Sequence, residues 1–73
     1  METRVRIVNR PKVGPIYVPE YSRFLFFWKP VAKHDNFMNS EGYAHIVTNY
    51  GFEDMITARK VLYDFKTYKR YTK

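Results

Sequence analysis

The sequence predicts an α+β fold: a three- or four-stranded, mainly antiparallel sheet packed on one face by one C-terminal helix, about residues 54–70. Three observations predict it. Short stretches of alternating apolar and polar residues fill the first two thirds of the chain, the pattern of half-buried strands. Pro and Gly at positions 11, 14, 15, 19, 30, 42 and 51 punctuate those stretches. Beyond Gly51 there is neither, and apolar residues recur at helical spacing. Strands first and helix last is the order of an α+β domain rather than of a parallel α/β sheet.

Residues 3–9 alternate, with Val5 and Ile7 on one side and Arg4 and Arg6 on the other. Arg10-Pro11-Lys12-Val13-Gly14-Pro15 is a basic turn. Ile16-Tyr17-Val18 predicts a second strand that Pro19 interrupts, and a proline places such a strand at an edge or a bulge. Residues 22–29 predict the strongest strand. Phe24, Phe26 and Trp28 lie on one face and Leu25 and Phe27 on the other, so it is expected to be central. Residues 32–42 read as a polar loop anchored by Phe37 and Met38. Residues 43–48 predict another strand, with Ala44, Ile46 and Thr48 opposite Tyr43, His45 and Val47, followed by a turn at Asn49-Tyr50-Gly51.

Asp54 is the expected N-cap of the helix and suits its positive dipole end. Ala58, Val61, Leu62 and Phe65, with Met55 and Tyr68, form the stripe expected to face the sheet. The expected core is Phe24, Phe26, Trp28, Ile46, Ala58, Leu62 and Phe65.

Seventy-three residues make one domain, 1–73, with no room for a second core. There is no cysteine, which excludes disulfides and thiolate zinc sites. Seven Tyr, six Phe and one Trp must supply the buried area instead. The longest apolar run, Phe24-Leu25-Phe26-Phe27-Trp28, is far short of the roughly 20 residues a membrane helix needs. Arg4, Arg6 and Arg10 break any signal-peptide core, so a cytoplasmic protein is expected.

One sequence pattern suggests a biological context. Phe26-Phe27-Trp28-Lys29-Pro30-Val31, a polar loop, then Phe52-x-Asp54-x-x-x-Ala58 opening an amphipathic helix, resembles small bacteriophage accessory proteins. The resemblance covers roughly the last two thirds of the chain. It implies a viral accessory protein that binds a host or viral macromolecule in the host cytoplasm, and it implies no particular site residues.

The net charge of +6 is unevenly placed. Residues 59–73 carry Arg59, Lys60, Lys66, Lys69, Arg70 and Lys73 against Asp64. Residues 1–33 carry Arg4, Arg6, Arg10, Lys12, Arg23, Lys29 and Lys33 against Glu2 and Glu20. Residues 34–58 hold Asp35, Glu41, Glu53 and Asp54 with no Lys or Arg. At about 100° per residue, Arg59, Lys66, Arg70 and Lys73 fall in one stripe, with Tyr63 beside it and Lys69 on its border. Cations interleaved with an aromatic suit nucleic-acid phosphates and a stacked base or sugar. The expected contacts are therefore Arg59, Tyr63, Lys66, Lys69, Arg70 and Lys73, helped by Arg4 and Arg6. Two alternatives stand beside this reading. The same face suits an acidic surface on a larger protein that the chain would inhibit or modulate. The sheet face left uncovered by the helix suits a homodimer. The aromatic strand reads first as core plus self-association, and second as a stacking platform.

Catalysis is not expected. His34-Asp35 are loop neighbours, His45 lies on an expected strand, and neither arrangement holds a base against a carboxylate by spacing. The least implausible enzyme is a metal-dependent nuclease using Asp35, Glu41 or His45, yet no metal-ligand spacing is present. No glycine-rich phosphate loop exists, and no cofactor is implied.

Overall fold

The computed structural model describes residues 1–24 and 26–71, with side chains through Tyr68. The N-terminal alternation forms β1 (Glu2–Arg10), which pairs antiparallel with β2 (Gly14–Phe24) from Glu2 opposite Ser22 to Arg10 opposite Gly14. The basic turn joins them, with Lys12 and Gly14 at φ of 67° and 100°. A third strand, β3 (Phe27–Pro30), pairs antiparallel with the far side of β2, giving the order β1-β2-β3.

Two expectations fail here. The second strand is not an edge: β2 is the central strand and runs straight through Pro15 and Pro19. Tyr17 exchanges both backbone hydrogen bonds with Phe52, at 2.8 and 2.9 Å, so its N–H faces away from β1. Pro15 and Pro19 share that parity, so their missing N–H groups take nothing from the β1 ladder. The ladder to β3 begins only at Glu20, so Pro19 falls in the interval between Phe52 and β3. The second failure is the continuous strand over 22–29. It is split into the end of β2, a hairpin tip and β3, and Phe24 and Phe26 are exposed rather than core. Phe27 faces Phe24 across the tip after a register shift. Leu25, expected on the second apolar face, lies outside the described residues.

The expected loop at 32–42 is largely helical. A 3₁₀ turn, Val31–Lys33, leads into α1 (Asp35–Ser40), and Phe37 and Met38 are buried as the anchors they were expected to be. Residues 43–48 form no strand. The Tyr43 N–H donates to the Met38 carbonyl (2.9 Å) and the Ile46 N–H to the Tyr43 carbonyl (3.1 Å). These bonds are local rather than to the sheet, and Ile46 and His45 are exposed instead of sheet-bound. The expected turn follows: Thr48 and Gly51 exchange backbone bonds around Asn49 and Tyr50, both at positive φ (49° and 65°), the geometry of a type I′ turn.

The last element is α2 (Met55–Tyr71), within a residue of its expected bounds. Its buried face, Ala58, Val61, Leu62 and Phe65, closes over Tyr21, Val31, Phe37 and Phe52. Phe65 is central, with ring centroids 4.9 Å from Tyr21 and 5.4 Å from Phe37. On β1 and β2 the helix-facing parity is Val5, Tyr17 and Tyr21. The opposite parity, Arg4, Arg6, Ile16, Val18 and Glu20, forms an outer face. Ile16 and Val18 are buried there, and Gly51 lies so close that a Cβ on it would stand 3.0 Å from each of their side chains.

Candidate functional site

The cationic helix face is set up from its first turn. The Thr57 N–H donates to Asp54 Oδ1 (2.6 Å) and the Thr57 hydroxyl to Oδ2 (3.0 Å), so Asp54 caps the helix as expected. Those two bonds hold the Asp54 carboxyl below its usual range. With the apolar stripe turned to the sheet, one exposed flank carries Ile56, Arg59, Tyr63 and Lys66 at spacings of three, four and three. All four are exposed, Tyr63 by 70%. Arg59 and Lys66 stand about 10 Å apart along the axis, from a rise of about 1.5 Å per residue.

The acid on this helix does not neutralise that row. Asp64 accepts a hydrogen bond from the Tyr43 hydroxyl and pairs with Lys60 at 3.4 Å, on another side of the helix. Burial, then the Asp64 hydrogen bond and charge, push the Tyr43 phenol well above its ordinary value of 10.0. Among the described residues, Arg59 and Lys66 have no carboxylate within ion-pair distance. The side chains of Lys69 and Arg70, and Lys73 as a whole, lie outside the described residues.

Arg4 and Arg6 are not brought to this row. They sit on the outer face of the sheet, where their Nε groups donate to the two oxygens of one buried carboxylate, Glu20, at 2.8 and 2.9 Å. The Arg4 guanidinium also lies 4.0 Å from the centre of the Trp28 ring, a cation–π contact. Trp28 is therefore half-buried on the outer face, not part of the core under the helix. Arg10 is engaged too, with Glu53 at 3.0 Å.

A second surface comes from the aromatic run, whose second reading in the sequence is a stacking platform, and it takes the form of a hairpin tip rather than a strand face. The β2–β3 tip exposes Phe24 (72%), Phe26 (85%) and Phe27 (68%). Beside it is an open hollow of ≈ 550 Å³ lined by Tyr21, Arg23, Phe24, Phe27, Lys29 and His34. Arg23 and Lys29 have no ion pair among the described residues. His34 belongs to the packing at the back of the hollow: its ring lies 5.1 Å from Phe65, and its Nε2 hydrogen-bonds the Tyr21 hydroxyl. Met1 links the two surfaces, since it lines one hollow with Tyr63, Lys66 and Thr67 and another with Arg23, Phe24, Phe26 and Phe27. The sequence signal for this surface is the run of aromatics between Arg23 and Lys29. A tip without Gly, Asn or Pro hid the turn.

Among the described residues, no group of three or more His, Asp or Glu side chains is placed to hold a metal ion. No helix of the described residues is long and apolar enough to cross a membrane. No known protein family, curated protein or solved structure matches the chain.

Proposed function

We propose that this chain is a non-enzymatic, cytoplasmic nucleic-acid-binding protein that holds the phosphate backbone through the exposed face of α2. The observation that carries the reading is the row Arg59, Tyr63, Lys66, two cations around a ring, exposed and without a carboxylate partner among the described residues. Each cation set against a phosphate releases counterions, and Tyr63 offers a face to a base or sugar. Arg4 and Arg6 contribute less in this reading, because Glu20 already holds them.

The test is fluorescence anisotropy of labelled DNA and RNA at about 50 and 200 mM salt, the range over which phosphate contacts register strongly. The slope of log K against log salt is about −0.9 per duplex phosphate neutralised. Losing two contacts in Arg59→Ala/Lys66→Ala therefore reduces the affinity drop across that range by about tenfold. No binding at the lower salt, or a double variant with unchanged affinity and slope, refutes the proposal. Binding confined to an acidic protein, with salt acting on the association rate, transfers the same face to a protein partner.

A further inference from the structure

We infer that the nucleic acid is single-stranded, and that its bases stack on the rings at the β2–β3 tip while Arg23 and Lys29 hold the flanking phosphates. The inference rests on the nucleic-acid reading above and adds to it strandedness and a second contact surface.

Three large apolar rings, Phe24, Phe26 and Phe27, stand in water at the tip of one hairpin. Phe24 and Phe27 are paired across it, so their side chains border the same hollow. That hollow falls in the size range of small-ligand sites. Its walls carry two formal positive charges, Arg23 and Lys29, and none of its lining residues is acidic. A planar, apolar-faced group carrying an anion matches such walls, and an unpaired nucleotide is that group. A paired base is not, since its faces are covered by its neighbours in the duplex stack. Base–aromatic stacking is tolerant of sequence, since every base presents a face to the ring.

Continuity supports the assignment. Met1 lines one hollow with Tyr63 and Lys66 and another with Glu2, Phe24 and Phe26, so the helix row and the tip adjoin at the N-terminal residue. A second copy of the chain fits less well. Tip-to-tip docking would bring Arg23 and Lys29 of two copies together, like charge against like.

The experiment compares a labelled single strand of about 12 nucleotides, a length in the range one small domain covers, with its duplex. Wild type is measured against Phe24→Ala/Phe27→Ala, Arg23→Ala/Lys29→Ala and Arg59→Ala/Lys66→Ala, with far-UV circular dichroism checking the fold. If the first double variant unfolds, Phe26→Ala, which alters the most exposed of the three rings, replaces it. The expected result is at least about tenfold tighter binding of the single strand, lost in the ring variant while duplex affinity holds within about twofold. Equal affinity for both forms, or a ring variant that binds single strands as wild type does, overturns the inference and leaves the helix-face proposal standing. No binding to either form overturns both. A wild-type dimer that Phe26→Ala converts to monomer, or phosphatidylserine-vesicle binding lost in the ring variant without any single-strand preference, also overturns it.

Discussion

Replacing Glu20 by Gln tests whether the outer face of the sheet is held by charge or only by shape. Gln keeps the volume and one acceptor oxygen, so the substitution removes charge and one acceptor with little change in packing. Glu20 is 4% exposed, and it accepts from Arg4 Nε and Arg6 Nε at 2.8 and 2.9 Å. At a charge separation of about 4 Å and an effective dielectric near 20, each attraction is about 4 kcal/mol before desolvation. Burying the carboxylate costs several kcal/mol in return. The arginine side chains are 45% and 50% exposed, so water screens part of the gain. In the variant one arginine keeps an oxygen and the other faces an NH₂, donor against donor. The loss of one charge-assisted hydrogen bond is about 1.5–3 kcal/mol. The net expectation is destabilisation of about 2 kcal/mol, or a fall in Tm of roughly 10–15 °C for a domain of this size. Urea unfolding followed by circular dichroism at pH 7 measures it. Glu53→Gln is the control: its pair with Arg10 involves a carboxylate 62% exposed, and its loss costs about 0–1 kcal/mol. If the two variants lose the same amount, or Glu20→Gln loses less than about 0.5 kcal/mol, the account of the outer face is wrong.

Other outcomes follow from single contacts. Phe65→Ala removes a fully buried ring that touches Tyr21, His34 and Phe37, costs about 3–5 kcal/mol, and leaves little cooperative melting by circular dichroism. Gly51→Ala drives a Cβ to 3.0 Å from Ile16 Cδ1 and Val18 Cγ2 and destabilises by about 1–3 kcal/mol in urea titration, an effect that vanishes if the turn simply shifts outward. The Asp54 carboxyl is held below its ordinary value of 3.8, so its stabilisation is present above that pH and is lost as pH falls through the lower folded value. Asp54→Ser caps without ionising, so the stability difference between wild type and this variant should shift toward the variant below about pH 4 and stay flat between pH 6 and 8. The Tyr43 phenol is raised, so its contribution is complete below pH 10.0 and is lost as pH rises beyond it. Tyr43→Phe, measured by thermal melting, should therefore be less stable than wild type at pH 7 and lose less on going to pH 11.

What was legible in the sequence was what depends on neighbours in the chain. The cap at Asp54 and the stripe through Ala58, Leu62 and Phe65 follow from a 3.6-residue period and one side chain three residues from its partner. The errors fall where a residue's position depends on a partner far along the chain. Residues 43–48 alternate as a strand does, but the open side of β2 at Tyr17 is taken by Phe52, and Tyr43, Ile46 and Thr48 donate instead to Met38 of α1, to Tyr43 and to Gly51. The prolines of β2 share a parity, which the sequence shows. That this parity faces away from β1 is known only once the hairpin register is. The same register puts Glu20 opposite Arg4, sixteen residues away, so the two arginines expected to help hold phosphate also partner a buried acid, a pairing no local pattern showed. The aromatic run misled for a different reason. Burial is the usual outcome for five consecutive large apolar residues, and nothing within 24–28 marks a turn.

The ion pairs also sort the positive charge, which composition could not do. Glu20 engages Arg4 and Arg6, Glu53 engages Arg10, and Asp64 engages Lys60. Among the described residues, Lys12, Arg23, Lys29, Lys33, Arg59 and Lys66 have no such partner, and four of these six, Arg23, Lys29, Arg59 and Lys66, border the exposed rings of Phe24, Phe27 and Tyr63. A basic surface kept only for solubility has no reason to gather its uncompensated cations around exposed aromatics, since each such ring is a solubility cost. A surface for nucleic acid needs both together, the cation for the phosphate and the ring for the base. Neutralising Arg59 and Lys66 should therefore weaken binding through its salt dependence. Removing Phe24 and Phe27 should weaken it without changing that dependence. Two variants of one surface that fail in these separable ways would tie the charge pattern and the aromatic tip to a single ligand.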